Sequence, residues 1–314
     1  MRGLTLIPAG LSLDFISRKK LFFAFSAFIV ISSIALYSVK GLSYGIDFKG
    51  GILMEIQTTD GPADIGTMRK TLSSLNLGDV SLQEFGAPNE ILITVQSQDG
   101  GEKAQGAAVE KIKDALGANI EYRRTEYVGP KVSDELLLDG IYAVGAAIFA
   151  ILLYVWFRFE WQFGLGAVVA LVHDVISTIG IFALLGMEFN LTTVAAVLTI
   201  AGYSINDTVV VFDRVRENLR RYKTQPLPEL LNRSINETLS RTIMTSFTTL
   251  LALFALYSLG GEVIRGFSFA MIWGIIIGTY SSICLAVPVL LYLNIQRRGG
   301  AAGNADDKEQ EATA

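Results

Sequence analysis

The chain has 314 residues, 51% of them hydrophobic and 18% charged, with 26 lysines and arginines against 30 aspartates and glutamates. Soluble domains carry about 25% charged residues, so the composition excludes an ordinary soluble protein, and a net charge of −4 gives no basis for nucleic-acid binding. The single cysteine, Cys284, excludes an intramolecular disulfide and a cysteine-only metal site; inside an apolar run it reads as small core filler.

The apolar residues gather in runs that match the roughly 20 residues a helix needs to cross a bilayer core. Residues 1–20 precede the first run, 21–39. That run follows "SRKK" and could pass for a signal peptide. It is longer than the usual apolar region of about 7–15 residues and its cleavage signal is weak, so it is expected to stay as an anchor.

Residues 40–135 form an insert between the first and second spans. "ILMEIQTT" (Ile52–Thr59) reads as a strand and "PADIGTMRKTLSSLN" (Pro62–Asn76) as a helix, with proline near its first turn. "DVSLQEF" and "EILITVQ" alternate as strands across a turn. "GEKAQGAAVEKIKDALG" (Gly101–Gly117) reads as a helix closed by glycine, and "NIEYRRTEYVG" as a last strand. The order βαββαβ predicts a ferredoxin-like α+β domain. It has no histidine, no cysteine and no phosphate-binding glycine loop, so it reads as a docking or recognition module rather than an enzyme.

Five further spans follow: 136–157, 164–185, 191–212, 242–259 and 267–293. Between the fourth and fifth lies 213–241, in which Leu227, Leu231, Ile235 and Leu239 recur every four residues. This amphipathic stretch suits either a helix lying in the membrane interface or one packed on the bundle. The tail, 294–314, is small, polar and acidic and is expected to be disordered.

Lysines and arginines set the orientation. Arg2, Arg18, Lys19 and Lys20, then Arg214, Arg216, Arg220, Arg221, Lys223, Arg233 and Arg241, then Arg297 and Arg298 fall in three segments that six spans place on one side. The opposite loops, "GMEFN" and "GGEVIRG", hold one arginine. Both termini are therefore expected in the cytoplasm, and the 40–135 domain outside.

Ionisable residues inside spans are costly and mark function. His173 and Asp174 lie midway along the third span, as a proton-path pair or as a hydrogen-bonded pair that fixes packing. Asp207 lies five residues before the inner end of the fourth span, about 7–8 Å deep at helical rise. Arg241 begins the fifth span, in the same half of the membrane. A carboxylate balanced between burial and an arginine can take up and release a proton, whereas arginine keeps its own. Asp207 is thus the expected carrier, with a static Asp207–Arg241 ion pair as the rival and a snorkelling Arg241 as a further one. Asp213, Arg214, Arg216 and Glu217 read as a solvated cap. Gly274, Gly278, Ser282 and Ala286 in the sixth span, and Ala195, Thr199 and Gly202 in the fourth, read as small faces for close helix packing; Pro288 is expected to kink the sixth span. No cofactor or metal motif is present, so no enzyme is expected.

Several motifs together resemble one family. "YGIDFKGG" (Tyr44–Gly51) contains Asp47, Gly50 and Gly51; "VGPKVSDEL" (Val128–Leu136) contains Gly129 and Pro130. "ALVHD" ends in His173 and Asp174, "GYSINDTVVVFDRVREN" holds Gly202, Asn206, Asp207, Asp213 and Arg214, and "SINETLSRTIMTS" holds Arg241. From about Arg18 to Arg298 the sequence resembles SecF, the smaller membrane subunit of the bacterial SecDF export complex of the RND superfamily. The resemblance implies an α-helical polytopic membrane protein whose six spans are half of an RND-type bundle, in the bacterial inner membrane, bound to a SecD-like subunit. It implies work with the SecYEG channel on unfolded preprotein, late in translocation, driven by the proton gradient. It places Asp207 and Arg241 on the proton route together with an aspartate of SecD, so one third of the site is absent from this chain. The rivals are a structural subunit without a proton role and a small-molecule antiporter; the second would need two much larger external domains.

Overall fold

The structure is a computed structural model that describes residues 12–293 and 295. The expectations for 1–11 and for the tail beyond 295 lie outside the described residues.

Six helices are long and apolar enough to cross a membrane. The first is α1, Lys19–Lys40. After an α+β domain come α5, Pro130–Arg158, and α6, Trp161–Leu185. Then follow α7, Leu191–Arg221, α8, Leu227–Leu259, and α9, Arg265–Ser281. Their ends follow local chemistry. Pro130 opens α5, where its missing N–H costs nothing. Gly186 closes α6 in the left-handed conformation, φ 67°. Asn190 caps α7, accepting from Thr193 N at 3.0 Å in a capping box.

Helix α8 is continuous over 33 residues. Of the stretch expected between the fourth and fifth spans, residues 213–221 end α7 and residues 227–241 are the first half of α8, which packs on the bundle, the second of the two expected placements. Leu230, Leu231, Ile235 and Leu239 are buried against Val211, Phe212 and Val215 of α7. The incoming N-terminal segment joins this core through Ile16. Asn232 holds that segment by accepting from Phe15 N and donating to Leu13 O.

The sixth span is interrupted. Beyond α9 the chain widens into a π-turn at Ser282–Ala286. Pro288 is the local cause: it offers no N–H to the carbonyl four residues back, and its ring crowds that carbonyl. Small residues set the close crossings. A Cβ on Gly274 would lie 2.3 Å from the Ile200 side chain, and one on Gly180 would overlap Ser33 of α1. Glycine there lets α9 reach α7, and α6 reach α1. The small face of α7 behaves otherwise: Ala195, Thr199 and Gly202 are exposed, and a Cβ on Gly202 would meet nothing within 4 Å.

The α+β domain runs through β1 (Ser43–Tyr44), α2 (Ile46–Lys49), β2 (Gly51–Thr58), α3 (Ile65–Ser73), β3 (Val80–Phe85), β4 (Ala87–Val95), α4 (Glu102–Leu116) and β5 (Ile120–Val128). Four strands form an antiparallel sheet in the order β3-β4-β2-β5. Ile52, Met54 and Ile56 alternate onto one face of β2 and meet Leu72, Ala108, Val109 and Ile112 from α3 and α4. Asp64 rather than Pro62 starts α3, because its carboxylate accepts from Thr67 N at 3.1 Å. The other sheet face looks at the end of the bundle formed by the α6–α7 and α8–α9 loops across a cleft of about 340 Å³. A two-residue strand, β6 (Glu188–Phe189), rises from the α6–α7 loop and pairs in parallel with β1.

Candidate functional site

Helix α7 carries the polar chemistry of the bundle, and its faces differ. Asp207 is 3% exposed, and its Oδ2 is buried with no hydrogen-bond partner. A buried polar atom without a partner is costly and usually signals water or function. One turn toward the outer end, Ser204 donates to Asp174 Oδ2 of α6 at 2.6 Å. Ser281 of α9 donates to the same oxygen at 2.7 Å, and His173 Nδ1 lies 2.9 Å from Oδ1. Asp174 is wholly buried. Asp174 accepts from both hydroxyls, and His173 Nε2 is buried without a partner.

The hydroxyls continue toward Asp207. Ser282, in the π-turn, bonds Thr208 at 2.8 Å and reaches the carbonyl of Ser204 at 3.3 Å. Outward of Asp174, Trp273 Nε1 donates to Ser177 at 2.9 Å. A polar seam thus runs between α6, α7 and α9 from Ser177 through Asp174 to Thr208, beside Asp207. Sequence reading found His173, Asp174 and Asp207, took Ser282 for a packing residue and missed Ser204, Thr208 and Ser281. Ser204 had a signal, sitting one turn from Asp207 on the same helix.

The rival reading, a static Asp207–Arg241 ion pair, is not formed in this structure. Arg241 is exposed, and among the described residues it makes no ion pair. Asp207 is buried and Arg241 is exposed, yet Arg241 lies close enough for its charge to act on the Asp207 carboxyl. Buried Thr242, next to Arg241, has a hydroxyl without a partner. Around these groups the outward surface is polar for a membrane helix. Ala195, Thr199, Gly202 and Asn206 of α7 and Arg241, Thr245 and Thr248 of α8 are exposed. Thr199, Thr245 and Thr248 turn their hydroxyls back to carbonyls four residues earlier. Asn206 and Arg241 would be poorly placed against lipid.

The solvated cap is an ion-pair cluster. Arg158 of α5 bonds Asp213 at 2.7 Å. Arg214 and Arg233 both grip Glu237, at 2.7 and 2.9 Å, and Asn218 donates to it at 2.7 Å. These pairs tie the C-terminal ends of α5 and α7 to the N-terminal half of α8.

At the outer end the remaining motif residues meet α7. Asp47 Oδ2 accepts from Leu191 N at 2.9 Å. Gly50 and Gly51 turn the chain into β2 with φ 69° and 132°, and Gly129–Pro130 passes it from β5 into α5. Glu188 shares this junction. Burial, then the charge of Asp47, push its carboxyl above the ordinary 4.5, while Arg124 pulls it back.

Comparison with known proteins fits this architecture. Residues 108–296 match the family model for the C-terminal region of the protein export membrane proteins SecD/SecF, and residues 38–61 match the SecD/SecF GG motif. The protein translocase subunit SecF of Cereibacter sphaeroides is 47% identical over 94% of each chain. The chain belongs to the SecF family. SecF of Rhodobacter capsulatus is 48% identical over 94% of this chain and 92% of its own. The protein translocase subunit SecDF of Brucella abortus is 42% identical over 98% of this chain but only 41% of its own length. A solved structure of a Thermus SecDF, described as a translocon-associated membrane protein, matches 90% of this chain and 39% of its own, with 36% identity and a TM-score of 0.81. SecF membership gives the chain a role in protein translocation as a multi-pass membrane protein.

Proposed function

We propose that the chain is the SecF-like half of a proton-gradient-driven complex that helps preproteins leave the Sec channel late in translocation, with a SecD-like subunit as its partner. The observation that carries this is Asp207: a carboxyl buried in a membrane helix, without a hydrogen bond, beside an exposed polar face. Such a group is expensive unless it is used, and its surroundings are incomplete in this chain. The fused SecDF relatives support a partner that supplies the missing wall. Asp207 takes up and releases the proton. Arg241 enters the site when α8 and the partner move, and Asp174 with His173 forms a second station along the hydroxyl seam.

Further features support the reading. The arginine-rich cluster at the inner ends of the helices favours both termini in the cytoplasm of a bacterium with this chain in its inner membrane. The antiparallel strand order and two covering helices favour a ferredoxin-like external unit, which would act on unfolded preprotein emerging from SecYEG. No nucleophile constellation, cofactor motif or nucleic-acid surface enters the account. About 2.3 kcal/mol is available per charge per 100 mV, so a few protons suffice to bias two packings of a bundle.

The test is late-stage preprotein release in energised vesicles that carry the SecD-like partner. Asp207→Asn should abolish the gradient-dependent part of release, and Arg241→Met should lower it in parallel. Unchanged release in Asp207→Asn would remove the proton role.

A further inference from the structure

The segment 43–51 is not used by the proton site, yet it joins the helix that carries Asp207 to the middle of the external sheet. The join has three parts. Ser43 and Tyr44 pair with Glu188 and Phe189, immediately before α7, and Gly45 N donates to Phe189 O at 3.0 Å. Phe189 is wedged between Tyr44, Phe48 and Phe182, with ring centres 6.1–6.3 Å apart. Asp47 then accepts from Leu191 N, the first residue of α7, across 144 positions of sequence. A carboxylate at a helix N-terminus satisfies a free donor and is favoured by the helix dipole.

Four residues after Asp47 the chain is already in β2, which lies between β4 and β5. The two glycines make this short path possible. A Cβ on Gly51 would sit 2.5 Å from Val95 O, and one on Gly50 would sit 3.2 Å from Val128 O and 3.3 Å from Ser133 Oγ. Both positions also hold the positive φ that side chains resist. The backbone therefore runs from α7's cap into the sheet centre with no flexible linker between.

We propose that segment 43–51 is the coupling element that carries a shift of α7 to the external domain, with Asp47 as the positioning residue that ties the two. The proposal rests on the proton-driven reading above. A shift of α7 pulls on Asp47 and β1, and through Gly50–Gly51 turns the sheet over the bundle, opening or closing the cleft between them. That cleft has Glu84 on the sheet side and Val263 on the bundle side.

Spin labels at Glu84 and Val263, in the full complex with its SecD-like partner in a bilayer, read the cleft directly. Asp207→Asn, which fixes a neutral side chain, should shift the label distance when Asp47 is present. In Asp47→Ala the same change should give no shift. Asp47→Asn keeps an acceptor for Leu191 N and should restore it, which guards against a mere folding defect. On the same preparations Asp47→Ala should cut gradient-driven preprotein release about tenfold, within the usual range of coupling between sites, and leave proton flux unchanged. Flux insensitive to Asp207→Asn would overturn the proton reading and this proposal with it. Flux lost in Asp207→Asn, together with normal release and a normal distance shift in Asp47→Ala, would overturn the coupling alone.

Discussion

Two buried carboxyls in one bundle have opposite surroundings. Asp174 is enclosed by its own chain: α6 supplies His173, α7 supplies Ser204 and α9 supplies Ser281. Asp207 sits one turn further along α7 with a buried oxygen that nothing among the described residues satisfies. The first site is complete in a single subunit and glues three helices. The second is open, beside a face whose exposed asparagine, arginine and threonines suit protein better than lipid. Burial alone does not say which acid is structural; the inventory of donors around it does.

The comparison breaks most readily at Asp174. Asp174→Ala would leave His173 Nδ1 and Ser204 Oγ buried without a partner, while Ser281 keeps its bond to Gly278 O, so unfolding of the detergent-solubilised chain should cost on the order of 3 kcal/mol less. Asp207→Asn removes no hydrogen bond and should change the same measurement by less than about 0.5 kcal/mol. Equal losses would erase the distinction.

Glycines on the two faces of α7's surroundings give the next test. Gly274→Ala pushes a methyl into Ile200 and should destabilise the chain by about 1–3 kcal/mol. A Cβ on Gly202 meets nothing within 4 Å among the described residues, so Gly202→Leu should not lower chain stability and should weaken co-purification of the SecD-like partner about tenfold, an effect of ~1.4 kcal/mol. Partner binding unaffected by Gly202→Leu would mean that the open face is not the interface.

The sequence made the six spans legible because each apolar run must be a helix in lipid. It made Asp174 and Asp207 legible because ionisable side chains stand out there. It hid what completes Asp174, since serine in an apolar helix reads as a small packing residue until its neighbour is known. The arrangement at Asp47 was equally hidden: its partner, Leu191 N, is a backbone group far along the chain. The amphipathic face of 227–239 was visible, but two placements fitted it, and only burial against Val211, Phe212 and Val215 decides between them. The π-turn followed from Pro288 in kind, as an interruption, but not in form.

The smallest expected effect is at the junction. Because the Glu188 carboxyl lies above its ordinary 4.5, the folded junction holds its proton more tightly than the unfolded chain. Its contribution is fully present below pH 4.5 and is lost as pH rises through the raised value. Glu188→Gln should flatten that dependence and slightly raise thermal stability at neutral pH, read by melting curves across pH. A steeper dependence in the variant would place the relevant charge elsewhere.

The central claim is that Asp207 is half of a proton site completed by another chain. Proton flux into proteoliposomes under an imposed gradient tests it directly, with this chain alone, the SecD-like partner alone, and both together. The account predicts flux only when both are present, and its loss in Asp207→Asn. Equal flux from this chain alone would contradict it.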